Sequence, residues 1–214
     1  MSSFAPLCQV GSGRCVQRGV IVSCSTAKKK LVHATNTGYW ETDVTYVYYL
    51  DLRLADALAQ FLKDASVTEF GAGHGCYTEY LASRNVSIRA FDGSPEIGNR
   101  TQNLVRTADL SRNLSLGKSD WLLCFEVAEH VPQKYEETFV RNLDMHNTRG
   151  ILLSWSSLRP PHGVGHVNPR SEEWVVARFA QLRYVVDAKS TQSLRRSALL
   201  PWFRSNVLVL RRSA

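Results

Sequence analysis

The stretch from Val67 to Leu81 constrains the chain most, because the apolar run Val67-Thr68-Glu69-Phe70 breaks into Gly71, Gly73 and Gly75 and then resumes with helix-like spacing. It predicts a strand, a glycine loop and a helix. Glycine has no Cβ to hold a ligand off and accepts positive φ, so such a loop lets backbone N–H groups and a helix N-terminus approach a ligand closely. Further alternations follow. Strands are expected at 67–70, 87–91, 103–107, 121–125, 150–155, 184–188 and 206–211, and helices at 75–84, from about 95, and at 133–145 and 171–182. Strands separated by helical patterns imply right-handed crossovers and a mainly parallel sheet covered on both faces. The segment between the last two strands has no convincing crossover helix, so the last strand is expected to run antiparallel. Ahead of the first strand, apolar residues from Tyr46 to Leu62 at steps of three and four predict an amphipathic helix over 43–63.

The 214 residues, 44% apolar and 21% charged, suit one globular domain over residues 37–214. No apolar run reaches the roughly 20 residues of a membrane-spanning helix. Residues 1–36 are rich in Ser and Gly, lack acids and hold no period for long, which predicts a loosely ordered basic extension. Their acid-free composition also resembles an organelle transit peptide, although no Arg-rich amphipathic helix is evident. The cysteines at 8, 15, 24, 76 and 124 are odd in number and include no C-x-x-C pair, which fits a reducing, cytoplasmic compartment and no zinc site. The net charge of +7 concentrates at both ends, with ten basic and three acidic residues in 151–214. Such a tail attracts nucleic acid, phosphorylated substrates or acidic lipid, or else consists of solvated arginines.

In an open α/β sheet, ligands bind beyond the carboxyl ends of the strands. Asp92 ends the second strand, 17 residues past Gly75, where a carboxylate can accept from both hydroxyls of a ribose. Glycine loop and acid together imply a nucleoside-containing ligand. A dinucleotide site would prefer a smaller residue at Cys76, and Glu69 just before the loop would repel pyrophosphate while suiting a cationic amino-acid moiety.

Glu69-Phe70-Gly71-Ala72-Gly73-His74-Gly75, then Asp92, Asp109-Leu110 and Cys124-Phe125-Glu126-Val127-Ala128-Glu129-His130-Val131-Pro132, resemble the successive motifs of the class I S-adenosylmethionine-dependent methyltransferases, especially their small-molecule branch. The resemblance covers residues 37–214. It implies a Rossmann-like, doubly wound, mainly parallel seven-stranded sheet with an antiparallel last strand and helices on both faces. It also implies S-adenosylmethionine as cofactor: Glu69, Gly71, Gly73 and Gly75 near its methionine part, Asp92 on the ribose, Asp109 and Leu110 at the adenine, and Phe125 among the residues lining the sulfonium side.

Methyl transfer to O or N requires orientation, exclusion of water and removal of a proton. His130, Glu129 and Glu126 are the candidate bases, with helix capping or packing as their structural alternative. The long loop 154–168 offers His162, His166 and Asn168 for an acceptor. No neighbouring carboxylate in that loop completes a metal site around the two histidines, so no metal is expected. The expected activity is methyl transfer to a small-molecule acceptor. Nucleic acid is disfavoured by the absence of an Asp/Asn-Pro-Pro-aromatic segment but left open by the basic tail. An NAD-type oxidoreductase and a noncatalytic methyltransferase-like binding module are the alternatives.

Overall fold

The computed structural model describes residues 15–18, 21–24, 35–39, 48–157 and 163–213. Two short strands, β1 (Cys15–Arg18) and β2 (Ile21–Cys24), form an antiparallel pair, and β2 pairs in turn with β3 (Tyr48–Asp51), matching Ile21 to Asp51. These strands occupy part of the stretch expected to be a loose extension. Chain pairing of this kind leaves little trace in eight residues. From β3 the chain enters α1 (Leu52–Phe61) directly. The helix expected over 43–63 is therefore shorter: residues 48–51 are extended, and 40–47 lie outside the described residues. Asp51 sets the start, its Oδ1 accepting from the Leu54 N–H at 3.1 Å, as an N-cap does.

The main sheet follows. Its strands are β4 (Ser66–Phe70), β5 (Ser87–Asp92), β6 (Val105–Thr107), β7 (Ser119–Cys124), β8 (Asn147–Ser154), β9 (Tyr184–Val186) and β10 (Val207–Arg212). Their order across the sheet is β6-β5-β4-β7-β8-β10-β9. β4 through β8 pair in parallel, and β10 runs antiparallel to both β8 and β9. The helices between them are α2 (Cys76–Ser83), α3 (Ile97–Arg100), α4 (Glu136–Met145), α5 (Glu172–Ala180), α6 (Ala188–Ser197) and α7 (Phe203–Asn206). The expected seven strands and antiparallel last strand are present. The segment between β9 and β10, expected to lack a helix, carries α6 and α7.

Both faces of the sheet are buried, and strand alternation assigns each residue to a face. Trp121 and Leu123 of β7, Leu152 of β8 and Val207 and Val209 of β10 pack with Leu54, Leu58 and Leu81 of α1 and α2 and Leu194 of α6. Their neighbours Leu122, Cys124, Ile151, Leu153, Leu208 and Leu210 pack on the other side with Phe139 and Leu143 of α4 and Phe179 of α5. Winding proceeds from β4 outward to β6 and then restarts on the opposite side at β7. The switch point thus lies between β4 and β7, where their carboxyl ends diverge and a crevice opens. No helix among the described residues is long and apolar enough to cross a membrane.

Candidate functional site

After Phe70 the chain turns across the end of β5, with the N–H groups of Gly71 and Ala72 both donating to the Phe91 carbonyl at 2.8 and 3.1 Å. Gly71 has φ of 71°, and a Cβ there would overlap the Val127 side chain. Only glycine fits this crossing. Gly75, with φ of 78°, precedes α2. Asp92 at the end of β5 is held by two backbone donors, Gly73 N–H to Oδ2 and Ser94 N–H to Oδ1, both at 2.9 Å. Glu69 is buried and accepts from the Thr78 hydroxyl. Burial pushes its carboxyl up to about 7, with the Thr78 bond opposing and the Asp92 charge reinforcing.

A cleft partly open to solvent lies over these strand ends. It is bounded by Gly71, Asp92, Gly93, Asp109 and Leu110 on one side, by Glu126, Val127, His130 and Val131 on another, and by Thr37, Gly38 and Tyr39. The last segment fits tightly: a Cβ on Gly38 would reach 2.6 Å from the His130 carbonyl, and one on Gly93 2.8 Å from the Tyr39 Cβ. Trp40, next to Tyr39 in the chain, lies outside the described residues.

The Asp109 carboxylate is engaged within its own turn. Oδ1 accepts from the Ser111 N–H at 2.9 Å and its hydroxyl at 2.6 Å, and Oδ2 from Arg112 Nε at 3.3 Å. This turn is held from beneath by Asn142, which sequence reasoning missed. Its buried amide donates to the carbonyls of Leu110 at 3.0 Å and Arg112 at 2.7 Å and accepts from the Leu114 N–H at 3.1 Å.

Beyond β7, Glu126 has φ of 55°, a left-handed conformation that aims its side chain back at the sheet. Its N–H donates to Ser154 Oγ at 2.7 Å, and its Oε1 accepts from Ser154 Oγ and Asn206 Nδ2, each at 2.8 Å. Burial raises its carboxyl despite both bonds. Glu129 is fully buried, and among the described residues neither carboxylate oxygen has a hydrogen-bond partner of ordinary geometry. Burial, then the charge of Glu126, push it well above the usual range, only partly offset by the nearby backbone amides of Glu129 and Ser156. His130 places Nδ1 3.0 Å from the Gly165 carbonyl, and burial lowers it to about 4, so it is neutral at pH 7.

The 163–170 loop folds against this turn. The Glu129 carbonyl accepts from the N–H groups of Val167 and Asn168, each at 2.9 Å. Asn168 is buried, donates to Glu136 Oε2 at 2.9 Å, and its carbonyl accepts from Trp155 Nε1 at 2.7 Å. His166 stands edge-on to His130, ring centroids 4.9 Å apart, with Nε2 3.9 Å from Glu129 Oε1.

Of the residues singled out from the sequence, the cleft brings together Gly71, Asp92, Asp109, Leu110, Glu126 and His130. Glu69, Gly73, Gly75 and Phe125 do not line it. The Phe125 ring instead packs against Phe203 and Tyr77, with centroids 5.4 and 6.1 Å away. Glu129 and His166 form a buried cluster with His130, Asn168 is tied to Glu136, and His162 lies outside the described residues.

No family model and no curated protein matches the sequence. Solved structures do match in shape. Magnesium protoporphyrin IX methyltransferase (ChlM) from Synechocystis PCC 6803 with bound SAH superposes with a TM-score of 0.58 at 17% identity, covering 75% of this chain and 83% of that one. The chain has the fold of the class I S-adenosylmethionine-dependent methyltransferases. The methyltransferase domain of bacterial CtHen1-C superposes on the same fold with a TM-score of 0.55 at 15% identity, covering 76% and 98% of the two chains. A Burkholderia thailandensis 1,6-didemethyltoxoflavin-N1-methyltransferase, crystallised with its acceptor and S-adenosylhomocysteine, does so with a TM-score of 0.50 at 15% identity, covering 76% and 77%. In this methyltransferase fold the cleft described above lies at the switch point of the sheet.

Proposed function

We propose that the cleft binds S-adenosylmethionine and that the chain transfers its methyl group to a small-molecule acceptor. The observation that carries this reading is Asp92. Two backbone N–H groups fix its carboxylate at the end of β5, and the side chain still borders the cleft, so its remaining lone pairs are available to a ribose. Gly71 brings backbone to the methionine part, while Leu110 packs against the adenine and Asp109 accepts from its amino group with capacity left over from Ser111. Two of the structural neighbours named above were crystallised with bound S-adenosylhomocysteine.

The sulfonium supplies an activated methyl carbon. An acceptor lone pair forms the new bond to that carbon as the carbon–sulfur bond breaks, the electron pair staying on sulfur. The protein positions the acceptor in line and takes its proton. His130 borders the cleft, and its Nε2 bears the lone pair because Nδ1 faces a carbonyl. Glu126 is the second base candidate and Glu129 the third, with the loop of His162, His166 and Asn168 on the acceptor side.

Calorimetric titration with S-adenosylhomocysteine, S-adenosylmethionine and NAD tests the cofactor. Saturable binding of the first two is expected, weakened about 10- to 100-fold in Asp92→Ala, the loss of one or two hydrogen bonds to a charged group. Binding of NAD without either adenosyl ligand would overturn the assignment. Labelled S-adenosylmethionine with fractionated extract then separates an enzyme from a binding module: label must pass to a fraction.

A further inference from the structure

Glu129, His130 and His166 each present one potential ligand atom, and those atoms lie within 4.8 Å of one another. Two come from the turn after β7 and the third from a loop 36 residues further on. The backbone fastens the two pieces together, since the Glu129 carbonyl takes both the Val167 and the Asn168 N–H. A buried carboxylate without full hydrogen bonding is costly unless a cation or proton neutralises it, and Glu129 is fully enclosed, with the backbone amides of Glu129 and Ser156 nearby but no bond of ordinary geometry to either oxygen among the described residues.

The imidazoles suit a cation. A carbonyl only accepts, so the Gly165 oxygen at 3.0 Å fixes the proton of neutral His130 on Nδ1 and leaves the lone pair on Nε2. An oriented ring of this kind, anchored through its other nitrogen to a backbone carbonyl, is the usual outer support of a metal-binding histidine. His166 Nε2 is 3.9 Å from Glu129 Oε1, a gap that one ion about 2.1 Å from each atom can bridge. A separation of up to 4.8 Å closes with a shift of about an ångström in the rings, given bond lengths of about 2.1 Å.

We propose that Glu129, His130 and His166 hold one divalent first-row transition-metal ion beside the cleft. Two imidazole nitrogens and one carboxylate oxygen favour Mn²⁺, Fe²⁺, Co²⁺ or Zn²⁺ over Mg²⁺ and Ca²⁺, which take oxygen ligands. Among the described residues the site has three protein ligands, which leaves coordination positions open. His130 also borders the cleft, so an open position on its side would take a hydroxyl-bearing acceptor. With its Nε2 on the ion, His130 is a ligand and no longer the base; coordination acidifies that hydroxyl, its proton passes to Glu126 or to solvent, and the oxygen lone pair forms the O–CH₃ bond as the C–S bond breaks. This last part rests on the methyltransferase reading; the metal site does not.

The test uses the full chain stripped with a chelator. Calorimetry with Mn²⁺, Zn²⁺ and Mg²⁺ and the visible absorption of added Co²⁺ are expected to report one equivalent of transition metal, with Mg²⁺ at least 10-fold weaker. Glu129→Gln and His166→Ala are each expected to weaken binding 100-fold or more, with circular dichroism confirming that both fold. Enhanced water-proton relaxation by the Mn²⁺ complex is expected from the open position. No saturable binding in the parent protein, binding that persists in both folded variants, or a preference for Mg²⁺ overturns the site. Saturable binding without relaxation enhancement overturns the open position and with it the hydroxyl acceptor. S-adenosylhomocysteine titration in the same samples reports the cofactor reading separately, so either idea can fail alone.

Discussion

Glu69 carries the most informative single titration in the protein. Its carboxyl rises from 4.5 to about 7 chiefly because burial penalises the charged form. A raised carboxyl binds its proton more tightly in the folded than in the unfolded chain. Its contribution is therefore intact below pH 4.5, is lost as pH rises toward 7, and changes no further above it. The full loss is about 3 kcal/mol, since each tenfold gain in proton affinity is worth about 1.4 kcal/mol. Urea unfolding of the ligand-free protein between pH 4 and 8 is expected to show this decline, and Glu69→Gln to remove it; parallel pH profiles would refute it. Glycine loop and Asp92 were legible in the sequence because their roles are local: a chain reversal needs Gly71, and a strand end presents Asp92. Asn142 was not legible, since a helix amide gains its role only when the 110–114 loop folds over it. The partnership of His166 with Glu129 was hidden for the same reason. The loop that carries His166 offers it no carboxylate, whereas the fold brings one from the turn after β7.

Helix boundaries were the least legible elements. Tyr49, Leu50 and Leu54 continue a spacing of three to four residues, which extended the first helix backward over a strand whose aromatic residues equally suit a sheet. The decisive signal was Asp51, an N-cap residue directly before the helix. The helix Ala188–Ser197 escaped because it buries only Thr191 and Leu194 and so lacks an apolar stripe. Its signal was also a cap, Asp187 accepting from the Ser190 N–H at 3.0 Å. Asp51 does more than cap. Its Oδ2 accepts from the N–H groups of Leu199 and Leu200, at 2.5 and 2.8 Å, so one fully buried carboxylate joins the start of α1 to the turn after α6. Asp51→Ala leaves three N–H groups without an acceptor and is expected to cost about 3 kcal/mol or more. Asp51→Asn keeps one acceptor oxygen and is expected to cost less. Thermal melts of both variants check the order; equal losses would mean that the cap, which Asn retains, contributes nothing and the bonds to Leu199 and Leu200 carry the effect.

At the scale of the molecule, one sheet separates two cores. The basic tail is tied into this body rather than displayed as a block: Arg170, Arg195, Arg211 and Arg212 pair with Glu136, Glu172, Asp187 and Asp144 at 2.7–2.8 Å. Arg211 and Arg212 lie on β10 itself, so these pairs link strand to helix and loop. Leu122 and Leu123, adjacent on the central strand β7 and both fully buried, point into opposite cores. If the sheet transmits stability between its faces, the cores unfold together although they lie on opposite faces of the sheet. Leu122→Ala and Leu123→Ala are then each expected to cost about 2–5 kcal/mol, the range for a buried leucine. In each variant near- and far-ultraviolet circular dichroism should lose signal in one coincident transition. Two separated transitions in either variant would show that a face can melt alone. The cleft over the β4–β7 switch point draws residues from strands that contribute to both cores, so loss of cooperativity would also appear as weakened cofactor binding below the main transition.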